Sequence, residues 1–183
     1  MIKYDVIFLD RDGTLNFDPG YIPNVEQLKF FDFAIPALKV LAQRGSNFCI
    51  VSNQSGVSRG LIDMNDLREI NAYIRREFIN NHINLLDIYN CTDHPNNATN
   101  RRKPGTGMFL EAADDHDIEL KRCLMIGDSE IDLIPAHSLE MDTMLVLTGN
   151  GHLTLDTIAP SDKPTFVAEN ILEGAKILVK KFI

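Results

Sequence analysis

The sequence predicts an α/β fold, a doubly wound parallel sheet with helices on both of its faces. Three observations carry that expectation. Five short apolar runs, each bounded by polar or turn residues, read as buried strands. The segments between them set apolar residues three and four apart, the spacing of one helix face. Strands that alternate with helices build βαβ units, and the 183 residues are enough for one good core and short for two. A single domain over residues 1–183 is therefore expected.

The first strand is "VIFL", residues 6 to 9, and it runs directly into "DRDGT". A helix carrying Ile35, Leu38 and Leu41 leads to the second strand, "FCIV" (48 to 51), which is followed by Ser52 and Asn53. Asp63 has the side chain of an N-cap and introduces a longer helix whose apolar stripe is Leu67, Ile70, Ile74 and Phe78. The third strand is "LLDIYN" (85 to 90). A helix from Met108 to about Asp114 precedes the fourth, "CLMI" (123 to 126), and a helix from Ile131 to Leu139 precedes the fifth, "TMLVLT" (143 to 148). "GNGHLTLDTIAPSDKP" (149 to 164) reads as one long loop, and a last helix, about Ile171 to Val179, is expected on the sheet edge.

Open sheets of this kind bind ligands beyond the carboxyl ends of their strands. Three of those ends carry polar sets: Asp10 and Asp12, then Ser52 and Asn53, then "GDSEID", Gly127 to Asp132. Ionised carboxylates brought together raise one another's pKa and cost energy unless a cation sits among them. Oxygens from Asp10, Asp128 and one backbone carbonyl, completed by water, would suit Mg2+. Residues two apart on an extended strand share a side, so Asp10 and Asp12 can address one substrate, one attacking and one exchanging a proton, while Arg11 points elsewhere. Gly13, ahead of Thr14, permits a sharp exit from the strand and close backbone approach to a bound group. Either acidic stretch alone also fits a solvated turn or a helix first turn; their shared position at strand ends argues for a site.

Composition narrows the partners. A net charge of -8 repels polyanions, and the one compact basic cluster, Arg101-Arg102-Lys103, suffices for a single phosphate and not for a duplex, so no nucleic acid partner is expected. No apolar run is long enough to span a bilayer, and Asp5 interrupts any signal-peptide layout, which predicts no membrane partner and a cytoplasmic address. Cys49, Cys91 and Cys123 are odd in number and far apart, so disulfides are not expected. No apolar helix face demands a partner, and a monomer is expected.

The set "FLDRDGTLN", "IVSNQSG", "RRKPGTGM" and "MIGDSEIDLIPA", in that order, resembles the four motifs of the haloacid dehalogenase superfamily, subfamily IIIA, over about residues 4 to 148. "GYIPNVEQLKFFDFAIPAL", "VSNQSGVSRGL" and "RKPGTGM" further resemble its branch of heptose bisphosphate and histidinol-phosphate phosphatases. The resemblance implies a Mg2+-dependent phosphomonoester hydrolase acting through an aspartyl phosphate. In it Asp10 is the nucleophile and Asp12 the general acid and base. Asp10, Asp128 and the Asp12 carbonyl hold the metal. Ser52, the Asn53 backbone N–H and Lys103 bind the phosphoryl group, and Asp132 orients Lys103 or a metal-bound water. Alone, "RRK" reads as a solvated patch; its place before Pro104-Gly105 and a helix start favours the functional reading. Arg59 and Arg102 would contact the non-reacting part of the substrate, or pair with surface acids instead. The short stretches between motifs leave no room for a separate cap domain, so an open site is expected. Specificity would come from the loops 16 to 27, 54 to 63 and 93 to 101, with Tyr21 able to meet a sugar or simply pin its own loop.

Two departures from that branch stand out. Many of its members hold a structural zinc with a Cys-x-His pair and a Cys-x-Cys pair; here "NCTDHPNNATNRRKP" keeps Cys91 and His94, puts Asp93 at the histidine position and lacks the second pair, so zinc is expected to be absent. Ser129 stands where the heptose phosphatases typically place a lysine. The substrate expected first is heptose 1,7-bisphosphate, with histidinol phosphate as the alternative. A receiver-like phosphorylated signalling domain is the reading from another class, but its acceptor aspartate should end strand three, where this chain has Asn90-Cys91.

Overall fold

The structure is a computed structural model and describes residues 4–181. Six parallel strands, β1 (Val6–Leu9), β2 (Asn47–Asn53), β3 (Leu85–Cys91), β4 (Cys123–Gly127), β5 (Asp142–Val146) and β6 (Phe166–Ala168), form one sheet in the order β3-β2-β1-β4-β5-β6. The helices between and after them are α1 (Ala34–Ala42), α2 (Met64–Asn80), α3 (Gly107–His116), α4 (Glu130–Ser138), α5 (Gly151–Thr157) and α6 (Ile171–Lys181).

Strand alternation divides the core in two. Ile7, Leu9, Phe48, Ile50, Leu124 and Ile126 face the helices α1, α2 and α6, while Val6, Phe8, Cys49, Val51, Cys123 and Met125 face α3 and α4. Asp63 caps α2, accepting from the Asn65 backbone N–H at 2.7 Å, as its place before the apolar stripe requires. The three cysteines are buried and free, where each thiol acts as a small hydrophobe. No helix among the described residues is long and apolar enough to cross a membrane.

The stretch 149 to 164 differs from the expected loop, since it contains α5 and is followed by β6. Both are short. α5 starts on a glycine and β6 has only three residues, so neither offers a full period of apolar spacing. The last helix lies beside α1 and against β5 and β6, and so covers the sheet edge from one face.

The chain steps outward from β1 to β2 to β3, returns past β1 to β4, and continues to β5 and β6. The reversal in strand order falls between β1 and β4, and it opens a crevice at their carboxyl ends.

Candidate active site

The crevice is a cavity of about 150 Å³ lined by Asp10, Asp12, Ser52, Asn53, Lys103 and Asp128, together with Asp132 and Asn150. Each strand around the switch point contributes. β1 ends at Leu9, so Asp10 and Asp12 stand on the turn beyond it, while Ser52 and Asn53 are the last residues of β2 and Asp128 follows β4.

Lys103 is at the centre. Its side chain is 1% exposed, and Nζ donates to Asp10 Oδ1 at 2.7 Å, Asp132 Oδ1 at 2.6 Å and the Val51 carbonyl at 2.7 Å, which uses all three of its protons. Burial disfavours its charge, yet the two carboxylates overcome this and raise its pKa, so it stays an ammonium. Asn53 fixes the lysine's backbone: Nδ2 donates to the Lys103 carbonyl at 2.9 Å, and the Lys103 N–H donates to Oδ1 at 3.0 Å. The peptide bond from Lys103 to Pro104 is cis. Asp132, at the third position of α4, spends its second oxygen on the Ser129 backbone N–H at 3.2 Å.

Arg11 does not point away from this site. The strand has already ended, so the two-residue alternation no longer applies. Arg11 is buried at 1% exposure and turns back onto its neighbour, with Nε to Asp12 Oδ1 at 2.9 Å and Nη2 to Asp12 Oδ2 at 2.7 Å. Asn16 Nδ2 and Gln54 Nε2 complete four hydrogen bonds to the same carboxylate, each at 2.9 Å. Burial alone would push Asp12 upward, but the Arg11 charge and these hydrogen bonds outweigh it and hold its pKa below the usual carboxylate range.

The other carboxylates are not compensated in this way. Oxygens of Asp10, Asp128 and Asp132 come within 4.8 Å of one another. Burial and the neighbouring Asp132, Asp128 and Asp12 push Asp10 up against the opposing pull of Lys103, while burial and Asp132 push Asp128 to about 7. Three carboxylates against one ammonium leave two negative charges, the amount a divalent cation would balance. The donor set is all oxygen, which suits a hard ion, so the residues present fit Mg2+. Gly13 makes room for the cluster: its φ is +83°, and a Cβ there would lie 2.4 Å from Asp128 Oδ2. Thr14 beside it is fully buried, and its Oγ1 has no hydrogen bond among the described residues.

Comparison with known proteins places this arrangement. The HAD-hydrolase-like family model matches residues 100–174. A D-glycero-beta-D-manno-heptose-1,7-bisphosphate 7-phosphatase from Helicobacter pylori is 34% identical over 145 residues, 79% of this chain and 83% of the relative. The chain belongs to the haloacid dehalogenase-like hydrolase family. A protein of the same name from Pasteurella multocida is 33% identical over 179 residues, 94% of this chain and 95% of its own. The crystal structure of D,D-heptose 1,7-bisphosphate phosphatase from B. bronchiseptica, complexed with magnesium and phosphate, matches this fold with a TM-score of 0.87 at 29% identity, covering 96% of this chain and 98% of that one.

Within this haloacid dehalogenase-like chain, Asp10, Asp12, Ser52, Asn53, Lys103, Asp128 and Asp132 meet at one cavity. Arg59 is exposed and Arg102 reaches the Asp93 carbonyl at 3.4 Å; neither lines this cavity or the adjoining one. The adjoining cavity, about 240 Å³, shares Asp12, Gly20 and Asn53 with the first and adds Tyr21, Gln54 and Ser55. Loops 16 to 27 and 54 to 63 therefore border the site. No residue of 93 to 101 does so; Arg101 from that loop lines a separate cavity on the β3 flank. Sequence reasoning missed Asn16, Gln54 and Asn150. Gln54 bonds Arg11, Asp12 and Ser52 at once, with its Nε2 2.8 Å from Ser52 Oγ, and the only available signal was its place directly after a polar strand end.

Proposed function

We propose that the protein is a Mg2+-dependent phosphatase that removes a phosphate from D-glycero-β-D-manno-heptose 1,7-bisphosphate. The observation that carries this reading is the buried Asp10–Lys103–Asp132 chain beside a third carboxylate, Asp12, held by its own donors at the same cavity. The substrate is supported by relatives named for it at 33 and 34% identity.

In this reading Asp10 attacks phosphorus and the sugar oxygen leaves with a proton from Asp12, giving an acyl phosphate on Asp10. Water then attacks the same phosphorus, passes its proton to Asp12, and orthophosphate is released with Asp10 restored. The four hydrogen bonds to Asp12 hold it ionised at rest, so the proton it gives the sugar oxygen is taken up from solvent as substrate binds, and the attacking water returns one in the second step. Ser52 Oγ accepts from Gln54, which turns its own proton toward the cavity and the phosphoryl oxygens. Lys103 opposes the upward push on Asp10 and fixes its position, and Asp132 holds Lys103. Asp10, Asp128 and the Asp12 carbonyl would hold Mg2+, which neutralises phosphate oxygens and lets two anions meet.

Zinc is not part of this proposal. Asp93 accepts from both the backbone N–H and the hydroxyl of Thr99, at 2.7 and 2.6 Å, and His94 Nδ1 accepts from the Asn96 N–H at 3.2 Å, so the loop between Cys91 and Arg101 ties itself together. Protein purified in metal-free buffer is expected to carry no stoichiometric zinc by elemental analysis; one zinc per chain would contradict this. A cytoplasmic monomer is part of the same reading. The outer edge of β3 is blunted, because Asp87 Oδ1 accepts from the Ile88 N–H at 2.6 Å and Arg101 donates to the Asn90 carbonyl at 3.2 Å.

The test is phosphate release with Mg2+ from both anomers of heptose 1,7-bisphosphate, histidinol phosphate and an aryl phosphate. The β-anomer is expected to give the highest kcat/KM, and chelation of the metal to abolish turnover. Preference for histidinol phosphate would keep the chemistry and replace the substrate.

A further inference from the structure

We propose that the turn at Gly149 and Asn150 selects which divalent cation the site accepts, by leaving Asp128 a single carboxylate oxygen to offer. This rests on the reading above that Asp10 and Asp128 hold the metal. Asp128 Oδ2 accepts from the Asn150 backbone N–H at 2.7 Å and from Asn150 Nδ2 at 3.3 Å. No other side chain among the described residues donates to its Oδ1. Thr154 Oγ1 donates to the Asp128 carbonyl at 3.0 Å, and Thr148 Oγ1 donates to the Gly13 carbonyl at 2.6 Å, so the segment after β5 grips both sides of the acidic cluster.

The carboxylate is also wedged sterically. A Cβ on Gly149, whose φ is +53°, would lie 2.1 Å from Oδ2, and one on Gly13 would lie 2.4 Å from the same atom. Only glycine at both positions lets the turn and the "DRDGT" segment close together on the same oxygen of Asp128. The group therefore has little freedom to rotate, and its Oδ2 is committed to Asn150.

A carboxylate with one oxygen committed is a monodentate ligand. Mg2+ takes six oxygens in near-ideal octahedral geometry and is satisfied by single carboxylate oxygens plus water, whereas Ca2+ takes six to eight and gains from bidentate carboxylates. Asn150 thus penalises Ca2+ relative to Mg2+. Its N–H bonds only Asp128, and its carbonyl accepts from the Thr154 N–H at 2.9 Å whatever the side chain. Its φ of -86° is near the value proline imposes, and Asn150→Pro deletes both donors while its Cδ takes the place of the amide hydrogen, so Asp128 Oδ2 must turn away from the loop.

The test titrates metal-free protein with MgCl2 and with CaCl2 by calorimetry, for the native chain, Asn150→Pro, Asn150→Ala and Asp128→Asn, with Tm measured beside each. The ratio of Ca2+ to Mg2+ affinity is expected to rise about tenfold in Asn150→Pro and about two- to threefold in Asn150→Ala, the range one or two hydrogen bonds support. A role confined to holding the turn would weaken both ions in step and lower Tm. An unchanged ratio overturns the proposal, and Asn150→Ala decides it if the proline variant does not fold. Equal Mg2+ binding by Asp128→Asn and the native chain would instead overturn the metal assignment beneath it.

Discussion

Asp10→Asn protein is expected to fold as the native chain does and to release phosphate at least about 10⁴-fold more slowly, the scale on which removing a nucleophile acts. An amide cannot form the acyl phosphate, but its oxygen still accepts from Lys103 Nζ, so the 2.7 Å contact has a successor. The substitution also removes one of three crowded negative charges. Its Tm in chelator is therefore expected to equal or exceed that of the native chain, because the repulsion that pushes Asp10 upward is relieved. A steady-state assay and a melting curve check both halves. Substantial remaining turnover would remove Asp10 from the nucleophile role.

Lys103→Met acts in the opposite direction on stability. The lysine is the one cation between Asp10 and Asp132, with side chains 1% exposed for Lys103 and Asp132, and its loss leaves two buried carboxylates uncompensated. Breaking a buried pair from one side costs about 3–5 kcal/mol, which for a domain of this size lowers Tm by roughly 6–20 °C. Turnover is expected to fall about 10²- to 10³-fold, the order lost when a fixed electrostatic partner of the reacting groups is removed. The melting defect should be smaller in Mg2+ than in chelator, since a cation among the same carboxylates offsets part of the missing charge. A Tm equal to native in chelator would contradict the electrostatic account.

Sequence pattern and structure agree where the chemistry is periodic. The five short apolar runs became strands because alternate residues on each of them bury against opposite helix layers, and that requires the near-continuous apolarity seen in "VIFL" and "CLMI". α5 and β6 fall short of one clear period and were not legible. In the candidate site, Asp10, Asp12, Asp128 and Lys103 stood at strand ends or before a helix start, so position marked them. Asn16 and Asn150 had no such mark, and Gln54 had only its place directly after the end of β2. They are neutral amides whose work is to hold a carboxylate, and only the folded chain shows which one. Arg11 was misplaced for a related reason: its direction depends on β1 ending at Leu9, one residue before the acidic pair begins.

The most direct test of the account is the fate of the phosphoryl group in Asp12→Asn protein given Mg2+ and an aryl phosphate. The aryl leaving group needs little protonation, so the first displacement survives, while the second lacks its base. The account predicts a burst of one equivalent of phenolate, then slow turnover, with the mass of one phosphoryl group on the peptide that carries Asp10. Steady turnover at the native rate without a burst, or a phosphoryl group on any other residue, would contradict it.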